Sequence, residues 1–266
     1  MAPASILLSF GNSMTMNNIN TVTAFEKKHF DHNSVTVQPR TINIPGVMGF
    51  DLTRDQILGL SGALSGSTVT IFVKRYWTVQ EVGDEEVPAG LFFKVENATY
   101  ISSHNIIGVF RDDPPGSCSL YLKLIDFITP TPSALKGLAA RMLAVIVREA
   151  LKLSGIKRLR LYAAGGRTWP DRDSATGERW GGYVAWPTYG FDMLLCPETI
   201  KLTSLFPYCP PKLTACTKVS EVLALKPLER EYWKVVGDGD YMDFDLSATS
   251  SASIVTLDAF LGSVGI

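Results

Sequence analysis

The sequence predicts a single α/β domain of the α+β kind, in which helices flank a central mixed and twisted sheet and an extra helical segment follows at the C-terminal end. The main observation is a strand–helix–strand pattern between residues 120 and 163. Several β-branched runs precede this pattern, and a proline-containing tail that permits only short helices follows it. With 266 residues, the chain is long enough to bury one substantial core.

The N-terminal part of the chain has a different composition from the rest. Residues 1–34 are rich in Ser, Thr and Asn, which predicts a flexible leader in front of a domain that spans residues 35–266. Within the domain, Thr53 and Gln56 have capping-box spacing and predict the start of a helix. Alternating or β-branched runs predict strands at 35–37, 41–44, 69–76, 91–95 and 106–110.

The strand–helix–strand unit has clear boundaries in the sequence. Apolar and other residues alternate over 120–127, which predicts a strand. Thr131 at the N-cap and Pro132 at the first helical position predict a long helix, and Gly155 is expected to end it. The next strand is predicted over 156–163.

From the second strand of this unit onward, the sequence contains charged residues, a long irregular segment and two short helical patterns. In the second strand, Arg158 and Arg160 point away from the apolar side. Together with Lys152 and Lys157 they are predicted to form a solvated basic face, with contact to an anion as the alternative. Residues 165–182 are rich in Gly, Trp, Arg and Asp without periodicity, which is typical of either a long ordered loop or a flap. Short helices are predicted at 219–225 and 228–235.

The bulk composition excludes several classes of function. The 25 basic and 26 acidic residues give a net charge of −1, which argues against double-stranded nucleic acid as a partner. No apolar run reaches the length of a membrane span, and the N-terminus lacks the pattern of a Sec signal peptide. We therefore expect a cytoplasmic protein, or one that a dedicated secretion system translocates.

Cysteines and histidines give no clear site. The four cysteines contain no CxxC pair, and we interpret them as buried thiols. His29 and His32 lack the additional ligands that a metal site requires, so no metal is predicted.

Small residues are concentrated where the long helix begins. The N-terminus of a helix offers free backbone N–H groups and a partial positive charge, which suit a pyrophosphate. Small side chains allow phosphates to approach this backbone, and Lys136 adds a positive charge. The predicted cofactor-binding residues are Ile128, Ser133, Lys136, Gly137, Leu138, Ala139 and Ala140.

These residues carry a resemblance to a known family. Residues 134–139 resemble the pyrophosphate motif (Q/R)-x-x-G-x-(G/A) of GNAT-fold (Gcn5-related) N-acetyltransferases, and 189–191 resemble the end of the family's Y-x-x-x-G-F segment. The resemblance covers about residues 120–191 and implies a GNAT-like fold with acetyl-CoA as co-substrate. It also implies acyl transfer to an amine of a protein or a small molecule. The run 181–192 and the tail 242–246 resemble GNAT-like domains of bacterial toxins, effectors and phage proteins.

The resemblance also suggests where proton transfer would occur. Asp126 is a candidate base, with an ion pair to a nearby arginine as the alternative interpretation. Trp186 stands where the family often has its proton-donating tyrosine, so Tyr183 and Tyr189 are the candidate acids, and Tyr183 is preferred. Ala134 also departs from the motif, since Gln or Arg is expected there. Two hypotheses remain: an acyltransferase, or a GNAT-shaped effector or structural module without catalysis.

Overall fold

A computed structural model of the chain describes residues 16–38, 52–74, 89–112, 117–125, 127–128, 137–167 and 181–265. Seven strands in this part of the chain form one mixed sheet whose spatial order equals the sequence order. The strands are β1 Thr36–Gln38, β2 Thr68–Lys74, β3 Gly90–Glu96, β4 Asn105–Arg111, β5 Cys118–Leu124, β6 Ile156–Tyr162 and β7 Tyr241–Asp245.

Strand direction divides the sheet into two kinds of pairing. Strands β2 to β5 form an antiparallel meander, and β7 is antiparallel to β6. The pairs β1–β2 and β5–β6 are parallel. The mixed α+β architecture predicted from the sequence is therefore confirmed.

Helices surround this sheet and also fill the long connection between β6 and β7. Short 3₁₀ turns occur at His32–Ser34 and Leu213–Ala215. The helices are α1 Asn17–Asn20, α2 Ala24–His29, α3 Arg54–Leu60, α4 Leu138–Leu151, α5 Gly182–Thr188, α6 Pro197–Ser204, α7 Val219–Ala224, α8 Pro227–Val236 and α9 Ala252–Val264.

Helix α4 covers the apolar face of the sheet. Leu120, Leu159 and Phe244 lie side by side across β5, β6 and β7, and all three are fully buried. On the same face, Asn105 of β4 contacts the sulfur of Met142 in α4. Helices α1, α3 and α9 pack in turn against α4 and complete the core.

The structure corrects the predicted flexible leader from residue 16 onward. Helices α1 and α2 are part of the core, and Ile19 is fully buried. The backbone N–H groups of Asn18 and Ile19 both donate to Asp258 Oδ1 in α9, each at 2.9 Å. The leader prediction failed because it relied on polar composition, whereas these polar side chains and amides bind specific partners in α4 and α9. Residues 1–15 lie outside the described residues.

A buried group of charges fixes this N-terminal segment to α4. Arg141 is fully buried and lies 3.5 Å from the Glu26 carboxylate, which also forms an ion pair with Arg148. The Arg141 guanidinium donates to the carbonyl oxygens of Asn18 and Thr21, each at 3.1 Å. We call Glu26, Arg141 and Arg148 the charge triad. It connects α2 with α4 across more than a hundred residues of sequence.

The limits of the long helix also differ from the prediction. Gly137 is the N-cap and has φ 90°, a left-handed conformation that a helix cannot continue through, so α4 begins at Leu138 and not at Pro132. The predicted N-cap Thr131 lies outside the described residues. At the other end, α4 stops at Leu151, before the predicted Gly155.

The other local predictions agree with the structure. Thr53 and Gln56 form the capping box of α3. Helices α7 and α8 occupy the two short predicted segments. The predicted strands over 35–37, 69–76, 91–95, 106–110, 120–127 and 156–163 correspond to β1 to β6, and the strand predicted at 41–44 lies outside the described residues.

Candidate functional site

The two parallel central strands separate at their carboxyl ends. Pairing of β5 with β6 continues to Leu122 opposite Leu161. Beyond this point, Phe127 pairs with Ile101, on the β4 side of the sheet. The continuation of β6 turns the other way, since Ala163 N–H donates to Asp240 O at 3.0 Å. Each strand therefore leaves its partner and follows its other neighbour, and we call this divergence the fork.

Helix α4 follows β5 and begins with its N-terminus after this divergence. The first intrahelical bond runs from Arg141 N–H to Gly137 O at 2.9 Å. The amides of Leu138, Ala139 and Ala140 therefore precede this first intrahelical bond at the N-terminus of α4. Leu138 and Ala140 are buried, whereas Ala139 is half-buried. This geometry favours an anionic group near Ala139.

The remaining predicted cofactor-binding residues are distributed differently. Ile128 is exposed and its amide donates to Tyr100 O at 3.1 Å, so its backbone holds one arm of the fork. Ser133 and Lys136 lie outside the described residues, as does the predicted base Asp126. The structure thus brings Gly137, Leu138, Ala139 and Ala140 together at one helix end and adds Ile128 on the adjoining strand extension.

Three chain segments cross closely just past β6, and glycines make this possible. Gly165 bridges Gly181, and Gly166, with φ 105°, bridges Asp238. A Cβ atom on Gly239 would lie 1.7 Å from Ala163 O, so no side chain fits there. We call this crossing of residues 163–167, 181–182 and 237–239 the glycine junction. It holds α5 and the segment after α8 against the carboxyl end of β6.

The two candidate acid tyrosines lie on and just after α5, which begins at this junction. Tyr183 is buried, and its hydroxyl donates to the backbone oxygen of Lys234 in α8. Tyr189 packs edge-to-face on Phe260 of α9, with ring centroids 4.9 Å apart. Burial raises the pKa of the Tyr189 phenol, which makes it a weaker acid. Trp186 packs edge-to-face against both Tyr189 and Phe191.

Of the predicted basic face, Lys152 and Lys157 are exposed, whereas Arg158 and Arg160 belong to an ion-pair network. Arg160 binds Asp243 of β7 through two hydrogen bonds of 2.7 and 2.8 Å. Arg158 donates to Asp112 and to Ser119, each at 2.8 Å. Burial opposes ionisation of Asp112, but hydrogen bonds from Ser119, Ser117 and Arg158 outweigh it and lower its pKa. The prediction failed for the two arginines because their partners come from neighbouring strands that are distant in sequence.

A groove that sequence reasoning missed runs along the outer side of β7. Its volume is about 1320 Å³, and its walls come from β7, α5, α7, α8 and the start of α9. Asp243 and Asp245 of β7 face Arg230 and Lys234 of α8 across it. The alternation of 241, 243 and 245 with 242, 244 and 246 was the available sequence signal, because it is typical of a strand with one polar face.

Cysteines, histidines and long apolar helices add no further site in the part of the chain that the structure describes. All four cysteines are free, and Cys196 is exposed rather than buried as predicted, because its sulfur caps α6 by accepting from Thr199 N–H. No group of His, Cys, Asp and Glu among these residues is arranged to hold a metal ion. None of the helices in the described ranges has the length and apolar character to cross a membrane.

Comparisons with known proteins were made at three levels. Searches against protein-family models, curated protein sequences and solved structures find no match to this chain.

Proposed function

We propose that the chain is a GNAT-like, acyl-CoA-dependent N-acyltransferase that moves an acetyl group from acetyl-CoA to an amine of a protein or small molecule. The observation that carries the proposal is the fork between β5 and β6, next to the N-terminus of α4. In α/β sheets, ligands bind outside the carboxyl ends of the strands where neighbouring connections diverge. Gly137, Leu138 and Ala139, the last three positions of the segment that resembles the pyrophosphate motif, lie at this helix end.

The residues at the start of α4 suit the diphosphate of acetyl-CoA. The amides of Leu138, Ala139 and Ala140 can donate to phosphate oxygens, and the helix dipole adds partial positive charge. Gly137 and Ala139 carry no side chain that would keep phosphates from the backbone. No acidic residue occurs in the first turn of α4, so nothing there repels an anion.

The protein's chemical contribution would be positioning and proton transfer. Acetyl-CoA supplies the activated thioester, and the chain holds it beside the acceptor amine. Tyr183 lies at the start of α5, where Gly182 approaches Ala164 just beyond β6. Its phenol is the proposed proton donor to the departing thiolate, and Asp126 is the proposed base.

Calorimetry with acetyl-CoA tests the binding step. We propose Ala139→Glu as the blocking variant, because a carboxylate at the helix N-terminus stabilises the helix by about 0.3–1 kcal/mol while it repels a pyrophosphate. Ala139→Gln, which has the same size without the charge, is the matched control. We expect the Glu variant to bind at least about tenfold more weakly than the Gln variant, a difference of about 1.4 kcal/mol.

The choice of position avoids a problem with the adjacent glycine. A side chain at Gly137 would strain its left-handed backbone, so loss of binding in a Gly137 variant could reflect a damaged helix start. Absence of binding by the wild-type protein at millimolar acetyl-CoA would refute the acyltransferase proposal. Equal affinities of the two Ala139 variants for acetyl-CoA would show that the cofactor does not bind at the end of α4.

One observation favours the second candidate, a GNAT-shaped effector or structural module without catalysis. The Tyr183 hydroxyl already donates to Lys234 O, so its proton is engaged in a buried structural bond. The departures at Ala134 and Trp186 point in the same direction. Binding of acetyl-CoA without turnover on any amine would support this second function over the first.

A further inference from the structure

The inner face of α8 carries polar groups in an otherwise apolar environment. Glu229, Tyr232, Trp233 and Val236 recur at helical spacing on the inner face of α8. Trp233 is fully buried, and Glu229 is 9% exposed. The Tyr232 hydroxyl connects this face with the end of α6, since it donates to the carbonyl oxygens of Thr203 and Phe206 at 2.9 and 3.1 Å.

Two polar atoms on this face are buried without a partner in the described part of the chain. The indole nitrogen Nε1 of Trp233 and the carboxylate oxygen Oε2 of Glu229 form no hydrogen bond with any described residue. The two residues are four apart in α8, so their Cβ atoms are about 6 Å apart on one face. Native proteins contain few such groups, because a buried donor or acceptor without a partner destabilises the fold.

A third unpartnered atom comes from the glycine junction. Arg167 Nε is buried and forms no hydrogen bond within the residues that the structure describes, although Nη2 of the same guanidinium binds Asp238 at 2.8 Å. The amide of Arg167 donates to Gly237 O at 2.9 Å. A Cβ on Gly237 would lie 2.6 Å from Cε2 of Trp233, the ring atom bonded to Nε1. The backbone of Arg167 is therefore bonded to the same glycine that lies against the Trp233 indole.

Arg167 also forms the open side of this region. Its guanidinium lies over the ring of Phe206, 5.9 Å from the centroid, and the Arg167 side chain is 27% exposed. Phe206 itself is 38% exposed. Phe206 O also accepts from the Tyr232 hydroxyl of α8, so this partly exposed pair lies beside the inner face of that helix.

We propose that Arg167, Glu229 and Trp233 form a binding site for a carboxamide group, as found in a peptide bond or an amide side chain. The two N–H donors of Arg167 and Trp233 match a carbonyl oxygen, which has two lone pairs. The Glu229 oxygen matches an amide N–H. A carboxylate ligand would face repulsion from Glu229, and an ammonium ligand would leave both N–H donors without an acceptor.

The position of this carboxamide site connects it with the fork. Arg167 and Gly237 belong to the glycine junction, at the carboxyl end of β6. An acceptor held here would lie on the α8 side of that strand end, across from α4. The assignment of this site to the amine acceptor rests on the proposed acyl transfer. Carboxamide binding itself does not depend on that proposal.

Titration of the full chain with small probes, followed by the indole N–H signals in proton–nitrogen NMR spectra, tests the proposal. The Trp233→Phe variant identifies the Trp233 signal among those of the five tryptophans. We expect acetamide to shift this signal saturably, with a dissociation constant on the order of 1–10 mM for so small a ligand. Acetate and methylammonium at the same concentrations should shift it much less.

A pair of variants on α8 separates binding from folding. Glu229→Leu should weaken acetamide binding about tenfold and should raise the unfolding midpoint, because it removes a buried carboxylate oxygen that no described residue satisfies. Glu231→Leu is the matched control: its side chain is 65% exposed on the same helix, and acetamide binding should not change.

Three outcomes would overturn the carboxamide site. The first is a Trp233 signal that responds to none of the probes. The second is equal response to acetamide, acetate and methylammonium. The third is a lower unfolding midpoint in Glu229→Leu with acetamide binding intact, which would assign the three atoms to a resident structural water. If Trp233→Phe does not fold, the Glu229→Leu titration still decides: an indole signal that acetamide shifts in the wild type and in Glu231→Leu must respond about tenfold more weakly in Glu229→Leu, and an equal response in all three proteins would overturn the site.

Discussion

The charge triad provides a demanding test of how the N-terminal segment is held. We propose Glu26→Gln, which keeps the side-chain shape and removes the only carboxylate shown in contact with the Arg141 and Arg148 guanidinium groups. Burial already lowers the pKa of Arg141, and the Glu26 charge partly offsets this effect. In the variant, two buried or partly buried cations would face each other without that compensation.

The expected magnitude follows from the burial of the triad. Removing one partner of a buried ion pair costs about 3–5 kcal/mol, and we take about 3 kcal/mol because Gln retains one oxygen as an acceptor. The carbonyl bonds from Arg141 to Asn18 and Thr21 should survive, which also favours the lower value. For a chain of this length, 1 kcal/mol shifts the thermal midpoint by about 2–4 °C. We therefore expect a midpoint lower by about 6–12 °C.

Thermal unfolding followed by circular dichroism measures this shift. Glu96→Gln is the control, because Glu96 is 46% exposed and pairs with Lys94 on the surface of the sheet. Its effect should stay within about 0.5 kcal/mol, so its midpoint should move by about 2 °C or less. A Glu26→Gln midpoint as close to wild type as that of the control would refute the claim that the triad holds α2 on α4.

Two further predictions concern histidine and tyrosine. Burial, and then the charge of Lys28, lower the pKa of His29 below 6.5, so the unfolded chain binds more protons and stability should fall as pH drops through 6.5 toward the folded-state pKa. Urea midpoints at several pH values check this, and His29→Asn should flatten the trend. Tyr183→Phe should lower acetyl-transfer turnover about 10²–10⁴-fold with little change in acetyl-CoA affinity, as stopped assays would measure. Unchanged turnover in both Tyr183→Phe and Tyr189→Phe would exclude a tyrosine acid.

The sequence predicted secondary structure correctly where residues close together in the chain decide it. The Thr53–Gln56 capping box depends on atoms three residues apart, and the structure contains it. The parallel pair β5–β6 with α4 between them follows from period-two and period-3.6 patterns. The same patterns predicted α7 and α8 despite the prolines around them.

The errors arose where distant residues decide the conformation. Helices α1 and α2 have polar sequences that resemble a disordered leader, yet Asp258 and the charge triad bind them tightly. The start of α4 depends on the left-handed backbone of Gly137, whereas Thr131 and Pro132 offered a competing start signal. No local pattern could resolve the first case, because its deciding contacts are tertiary, and in the second case two local start signals competed.

The candidate site was predictable only in part for the same reason. The small residues Gly137, Ala139 and Ala140 stand at the observed helix end, although the sequence placed the start of the helix earlier, at Pro132. The fork, however, depends on which chain segment the extensions of β5 and β6 each pair with. Ile101 pairs with the extension of β5, and Asp240 accepts from the extension of β6. The carboxamide site combines residues that are more than sixty positions apart, and a lone buried glutamate or tryptophan gives no signal in a sequence.

The glycine junction has a consequence for protein engineering. The bridge between Gly165 and Gly181 brings the two ends of residues 168–180 together, whatever sequence connects them. Closing a longer loop between fixed ends adds only about 0.6 kcal/mol for each doubling of its length. The fold should therefore tolerate peptides grafted between Arg167 and Gly181. Such peptides would start and end beside the carboxyl end of β6, so the glycine junction suits the insertion of foreign binding loops.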